Sequence, residues 1–334
     1  MKTRAAVLRK VGGPLVIEEL EIPKLERGQV LVKILYSGLC RSNINEINGR
    51  KGVEFIPHLT GHEASGIVAE VGDGITKVKV GDYVVCSWIK GWGLETSLVQ
   101  YKSDNGMVNA GNCSTFSEFA VISENRLVKI SRMVDADVAS LLGCAVPTGA
   151  GIIDNFGIKF GKTLAVFGVG GIGASALLRA VYLGVKCFAF DIFGWKLDWA
   201  KNKLGIANVY FSEFPQDIEG IFDFAIECSG NKFAMESAFI SLNNSGTAII
   251  AGNLEPGERI SVDPFDLVKG KKLQGTWGGE CLLDKDIPFY SEEYLGGRLP
   301  IGKLITKIYS FDKINEGLKD LEKGGLIRGV VKIG

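Results

Sequence analysis

Two histidines occur in the whole chain, His58 and His62, which confines any imidazole chemistry to one short segment. His62 stands in Gly61-His62-Glu63. Two cysteines occupy comparably tight settings, Cys40 after Ser37-Gly38-Leu39 and Cys144 after Leu142-Gly143. Two thiolates and one imidazole make a three-ligand zinc set with the fourth position open, the arrangement of a catalytic zinc. Spacing alone supports this weakly, because a single buried cysteine behaves as a small hydrophobe and His62 could equally be a hydrogen-bonded core histidine. A second signature is contiguous: Gly168-Val169-Gly170-Gly171-Ile172-Gly173 follows an apolar run and opens a helical stretch. In that context Gly168 permits a tight turn, Gly170 admits a pyrophosphate to the backbone, and Gly173 lets helix and strand pack closely. The helix start then favours the anion. Asp191 follows Gly168 by 23 positions (191 − 168). Its carboxylate can accept both ribose hydroxyls of NAD and repels the 2′-phosphate of NADP. The competing reading is a glycine-rich turn without a ligand.

These residues need elements to position them. Residues 1–145 read as β-rich, with strands through Val30–Ile34, Ile67–Val71 and Val78–Val85 and a Gly-Asp-Gly turn at Gly72–Gly74. Short strands with glycine-rich turns predict a barrel-like or sandwich domain. The period then changes. Strands are predicted at Lys162–Gly168, Lys186–Phe190, Val209–Phe211, Phe222–Glu227, Thr247–Ala251 and Lys272–Trp277, with helices through Tyr182 and over Trp195–Leu204. Alternating strands and helices of this kind imply an α/β doubly wound parallel sheet of six strands. A last helix is predicted over Asp312–Lys323.

Composition narrows the partners. At 334 residues the chain exceeds the roughly 250–300 at which a single core stops growing, so two domains or one large one are expected. Lys+Arg and Asp+Glu are both 38, with no basic block, which gives no reason to expect nucleic acid or an acidic membrane as partner. The most apolar stretch, Leu164–Val185, is interrupted by four glycines between Gly168 and Gly173 and carries Arg179, against a membrane span. MKTRAAVLRK has no apolar leader core, and a cytoplasmic protein is expected.

Taken together, the residues resemble the zinc-dependent alcohol dehydrogenases of the medium-chain dehydrogenase/reductase superfamily, from end to end. Gly61-His62-Glu63, Gly72-Asp73-Gly74 and Val80-Gly81-Asp82 form the most specific local stretch. The resemblance implies a GroES-like catalytic domain from 1–147 and 279–334, and a Rossmann domain from 148–278. It puts Cys40, His62 and Cys144 on the catalytic zinc ligands, one ion per chain, and Glu63 on a nearby carboxylate. Ser42 would hydrogen-bond the substrate oxygen and carry its proton outward. The dinucleotide turn Gly168, Gly170, Gly171 and Gly173 would hold NAD, with Asp191 and Lys196 on the adenosine ribose and Thr148 beside the nicotinamide. Arg41 and Arg328 would hold the pyrophosphate. Trp88 and Asn253 fall on substrate-pocket positions. The tail from Lys303 to Ile333 is similar to that of glutathione-dependent formaldehyde dehydrogenases.

Three departures from the family pattern carry expectations. The segment from Cys86 to Cys113 has cysteines only at its ends, so the second, structural zinc of most relatives should be missing. Asn43 replaces an aspartate that supports the zinc-bound histidine. Asn45 replaces the histidine that ends the proton relay in many relatives. The expected reaction is hydride transfer between an alcohol (primary, secondary, polyol or sugar) or its carbonyl product and NAD, by a homodimer or dimer of dimers. The alternatives are a zinc-free quinone reductase-like oxidoreductase and a non-catalytic protein on the same scaffold.

Overall fold

The computed structural model describes residues 1–50, 52–211 and 219–334. The chain forms two compact units, Met1–Cys144 with Leu282–Gly297 and Ile305–Gly334, and Ala145–Cys281 with Arg298–Leu304. The sequence places the boundaries at 147/148 and 278/279, and the units divide at 144/145 and 281/282.

In the first unit, five strands (Lys2–Leu8, Leu15–Glu21, Val99–Ser103, Gly106–Ala110 and His58–Leu59) close a barrel. A second sheet centres on the long strand Gln29–Leu39, which pairs antiparallel with Glu63–Val71, Phe119–Ser123 and Arg328–Lys332. The register decides which residues meet. Leu39 pairs with Gly329 and Ser37 with Ala64, so Cys40, His62, Glu63 and Arg328 all emerge at one end of this sheet. Alternating inward side chains, among them Val30, Val32, Ile34, Val68, Val84 and Ile122, form the core beneath them. The predicted strand Val78–Val85 is displaced: the strand is Tyr83–Ser87, and Gly81, with φ of +86°, breaks the run before it.

The second unit is a six-stranded parallel sheet in the order Asn208–Phe211, Lys186–Asp191, Thr163–Phe167, Phe222–Glu227, Leu242–Ile250 and Lys272–Gly275. Helices Gly171–Tyr182, Gly194–Leu204 and Lys232–Ile240 connect its strands. Strand Leu242–Ile250 begins five residues before the predicted start, and Lys272–Gly275 stops two residues short of Trp277. Neighbouring aromatics stack across the strands, Phe167 on Phe190 at 4.5 Å and Phe190 on Tyr210 at 5.0 Å between ring centres. Gly173 is required where the first helix meets the sheet, since a Cβ there would lie 2.0 Å from the Gly168 carbonyl oxygen. The predicted last helix is Ile314–Glu322, entered through a 3-10 turn at Phe311–Lys313. Among the described residues, no helix is long and apolar enough to cross a membrane.

Candidate metal centre and dinucleotide turn

Cys40, His62, Glu63 and Cys144 bring two sulfurs, an imidazole nitrogen and a carboxylate oxygen within 4.8 Å of one another. Each comes from a different constraint. Cys40 caps the helix Arg41–Ile47, and Asn43, three residues on, accepts its backbone N–H through Oδ1 at 2.9 Å. The same side chain presents Nδ2 to His62 Nδ1 at 3.4 Å, so one neutral amide orients two of the four groups. Gly61 delivers His62 from a turn with φ of +86°, where a Cβ would lie 2.6 Å from Thr115 Oγ1. Gly143 delivers Cys144; a Cβ there would lie 2.3 Å from the Cys86 carbonyl oxygen, and the Gly143 carbonyl accepts from Ser87 Oγ at 2.7 Å.

The electrostatics of this cluster are those of a cation site. Contact with Cys144, His62 and Arg328 holds the Cys40 thiol well below the ordinary cysteine range, against the opposing effect of burial. The Cys144 thiol is pushed well above that range by Cys40 and by burial. Glu63 is fully buried; desolvation raises its carboxyl, and the Arg328 guanidinium opposes the rise. Glu63 Oε1 accepts from Arg328 Nη2, while Oε2 has no hydrogen-bond partner. A buried group of two thiols, an imidazole and a half-satisfied carboxylate is stabilised by a soft dication, which would keep both sulfurs as thiolates. The donor set therefore fits zinc.

Other candidate residues take separate places. Ser42 is exposed, with its hydroxyl 3.7 Å from Cys40 Sγ. Arg41 is exposed at the first position of the same helix, and Asn45 lies one turn further along it. Trp88 is half-buried, its carbonyl accepting from Arg126. Arg328 is buried with 3% exposure, and its Nε has no partner. Its pairing with Glu63, 265 residues away in sequence, was not legible from motifs; the only signal was an acid next to His62 that burial would leave needing a counter-charge.

In the second unit the turn has the geometry its glycines imply. Gly168 has φ of +95°, and Gly170 faces open space, with nothing within 4 Å of a Cβ built there. The helix Gly171–Tyr182 starts without a side-chain cap, which leaves its first N–H groups to an anion. Asp191, at the end of its strand, accepts the N–H of Val169 at 2.7 Å and of Phe193 at 2.9 Å. It thus shapes the turn. The Lys196 ammonium lies 5.0 Å from the Phe193 ring centre. Thr148 is buried in the helix Ala145–Asn155, and Asn253 is exposed beyond strand Leu242–Ile250.

Residues 26–132 match the alcohol dehydrogenase GroES-like domain, and residues 171–292 match the zinc-binding dehydrogenase domain. The chain belongs to the zinc-binding alcohol dehydrogenase family. Like other members of this medium-chain dehydrogenase/reductase family, it is an oxidoreductase with zinc and NAD as cofactors. It is 31% identical to the S-(hydroxymethyl)glutathione dehydrogenase of Photobacterium damsela subsp. piscicida, over 99% of this chain and 100% of that one. The NDMA-dependent alcohol dehydrogenase of Amycolatopsis methanolica is 33% identical, with 99% of each chain covered. Among solved structures, benzyl alcohol dehydrogenase from Acinetobacter calcoaceticus superposes with a TM-score of 0.90 at 27% identity, covering 100% of both chains. The alignment to the first of these relatives runs over 368 positions against 334 residues here, so that dehydrogenase carries segments this alcohol dehydrogenase lacks.

Proposed function

We propose that Cys40, His62 and Cys144 hold one zinc ion per chain, and that Gly168, Gly170, Gly171, Gly173, Asp191 and Lys196 hold NAD for oxidation of a small alcohol or reduction of its carbonyl product. The observation that carries the reading is the buried convergence of two thiols, an imidazole and a carboxylate within 4.8 Å. Zinc so held supplies Lewis-acid polarisation of the substrate oxygen. The remaining work falls to the chain. Ser42, beside Cys40, accepts the hydroxyl proton and passes it outward. Asn43 fixes the His62 ring and the Cys40 backbone together. Arg328 offsets the negative charge of Glu63 and the thiolates from the buried side. Arg41 is the proposed cation for the pyrophosphate, with the unpartnered Arg328 Nε as a second donor. Thr148 is assigned to the nicotinamide end, and Trp88 and Asn253 to the substrate pocket.

The substrate class is a simple, aromatic or polyhydroxylated alcohol, and the enzyme is read as cytoplasmic and as a homodimer or dimer of dimers. A glutathione adduct is disfavoured by the segments absent relative to the S-(hydroxymethyl)glutathione dehydrogenases. A panel of primary, secondary and aromatic alcohols, polyols and sugars, followed at the NADH absorbance, tests this. At least one should reduce NAD with turnover that a zinc chelator removes. Quinone reduction by NADPH, with every alcohol inert, would replace the proposal with the zinc-free reading.

A further inference from the structure

Glu227 ends strand Phe222–Glu227 and is 0% exposed, yet neither metal nor relay chemistry involves it. Its Oε1 accepts three bonds from the turn that follows: Ser229 N–H at 2.6 Å, Ser229 Oγ at 2.5 Å and Gly230 N–H at 2.8 Å. Its backbone carbonyl accepts the N–H groups of Ala251 and Gly252, at 2.9 and 3.1 Å. Oε2 has no hydrogen-bond partner and packs against Gly252, where a Cβ would lie 2.4 Å from it. One acid therefore joins two loops.

Both loops stand at the crevice of the sheet. The chain runs outward from Thr163–Phe167 through Lys186–Asp191 to Asn208–Phe211, then returns to Phe222–Glu227 on the other side. The strand order thus reverses between Thr163–Phe167 and Phe222–Glu227, and ligands of doubly wound sheets bind outside the carboxyl ends at such a point. The Glu227-held turn supports the first glycine of the dinucleotide motif: a Cβ on Gly168 would lie 3.0 Å from Ser229 Cβ and from its nitrogen. It also supports the other loop, since a Cβ on Gly230 would lie 2.7 Å from the Asn253 carbonyl oxygen.

We propose that Glu227 is a positioning residue for the dinucleotide, its buried carboxyl fixing the turn at Cys228–Gly230, which in turn packs against Gly168 and against the Asn253 carbonyl. A carboxyl buried without a full set of partners is costly, and here that cost is offset by preorganised loops. The inference rests on the NAD reading above. Glu227→Leu removes the acceptor at similar volume, Glu227→Gln keeps an acceptor oxygen, and Ser229→Ala removes one donor. NADH affinity is measured by fluorescence titration, alongside zinc content and the KM for NAD.

Glu227→Leu should weaken NADH binding at least tenfold and raise the KM for NAD more than it lowers kcat, with zinc content unchanged. Glu227→Gln should stay within about threefold of the parent, and Ser229→Ala should weaken NADH binding about threefold. A folded Glu227→Leu that binds NADH as the parent does overturns the proposal. If Glu227→Leu does not fold, Ser229→Ala decides, and unchanged affinity there overturns it. A parent protein that binds no NADH at all removes the NAD reading itself, a result distinct from any difference between variants.

Discussion

At the metal cluster, charge decides what each residue can do. Glu63 is the anion nearest the thiols, and Arg328 is the guanidinium placed against it. Losing a sulfur or the imidazole leaves too few donors for a tightly bound ion. Cys40→Ala and His62→Ala should each lose the zinc and lower turnover at least roughly a thousandfold, since about 4 kcal/mol of Lewis-acid stabilisation is forfeited. NADH titration should show binding retained, because the glycine turn and Asp191 belong to the other unit; parallel loss of both would mean that the variant unfolds. Asp191 accepts two backbone N–H groups and is the residue proposed for the ribose. Asp191→Ser should lower kcat/KM for NAD about tenfold while narrowing the gap to NADP, and a parent that prefers NADP would refute the assignment. Asn45, one turn into the helix that starts beside Cys40, offers no titrating group. The pH–rate profile should lack a step near ~6.5, the ordinary histidine range, and Asn45→His should introduce one. His58 is 4% exposed, with Nε2 4.0 Å from Glu46 Oε1. A parent step abolished by His58→Asn would move the relay to that residue.

Elements differ in how readily the sequence discloses them. The strand, glycine turn and helix from Thr163 to Tyr182 were legible because the motif is contiguous and each glycine answers a local steric demand. The metal cluster was not legible from spacing. Cys40, His62 and Cys144 meet through antiparallel register and three glycine-flanked turns, so only their combined resemblance to a family pointed to them. The hairpin Val99–Ser103 and Gly106–Ala110, between Cys86 and Cys113, was missed altogether. Val99 and Tyr101 alternate with Gln100 and Lys102, but each strand is only five residues long and its order depends on distant partners. Tyr101 Oη accepts the N–H of Val121 at 2.7 Å, and Asn109 Nδ2 donates to the Phe55 carbonyl at 3.0 Å. Elsewhere in the same unit the Glu124 carboxylate, 1% exposed, accepts the N–H groups of Thr76 at 2.6 Å and of Lys77 and Leu94 at 2.8 Å. Burial pushes this carboxyl up, but the backbone donors outweigh it and hold it below the ordinary glutamate range. The stabilisation is therefore present above that range and lost as pH falls through it. Glu124→Gln should cost about 2 kcal/mol at neutral pH, and the difference from the parent should shrink on acidification. Denaturant melts at several pH values check this, and a constant difference would contradict it.

The whole molecule separates two features, the cluster of Cys40, His62, Glu63 and Cys144 in one unit and the glycine turn with Asp191 in the other. One edge of the parallel sheet, Lys272–Gly275, is followed by Trp277 at 77% exposure, and Val268 before it is 79% exposed. An open edge flanked by exposed apolar side chains invites pairing. Light scattering at micromolar concentration should give twice or four times the mass of the 36.0 kDa chain; a monomer would leave that edge unexplained. The central claim is a single catalytic zinc held by Cys40, His62 and Cys144. It is tested most directly by elemental analysis of protein purified without a metal-binding tag. The account predicts one tightly held zinc per chain. Two zincs per chain, or none in protein that still oxidises alcohol with NAD, would contradict it.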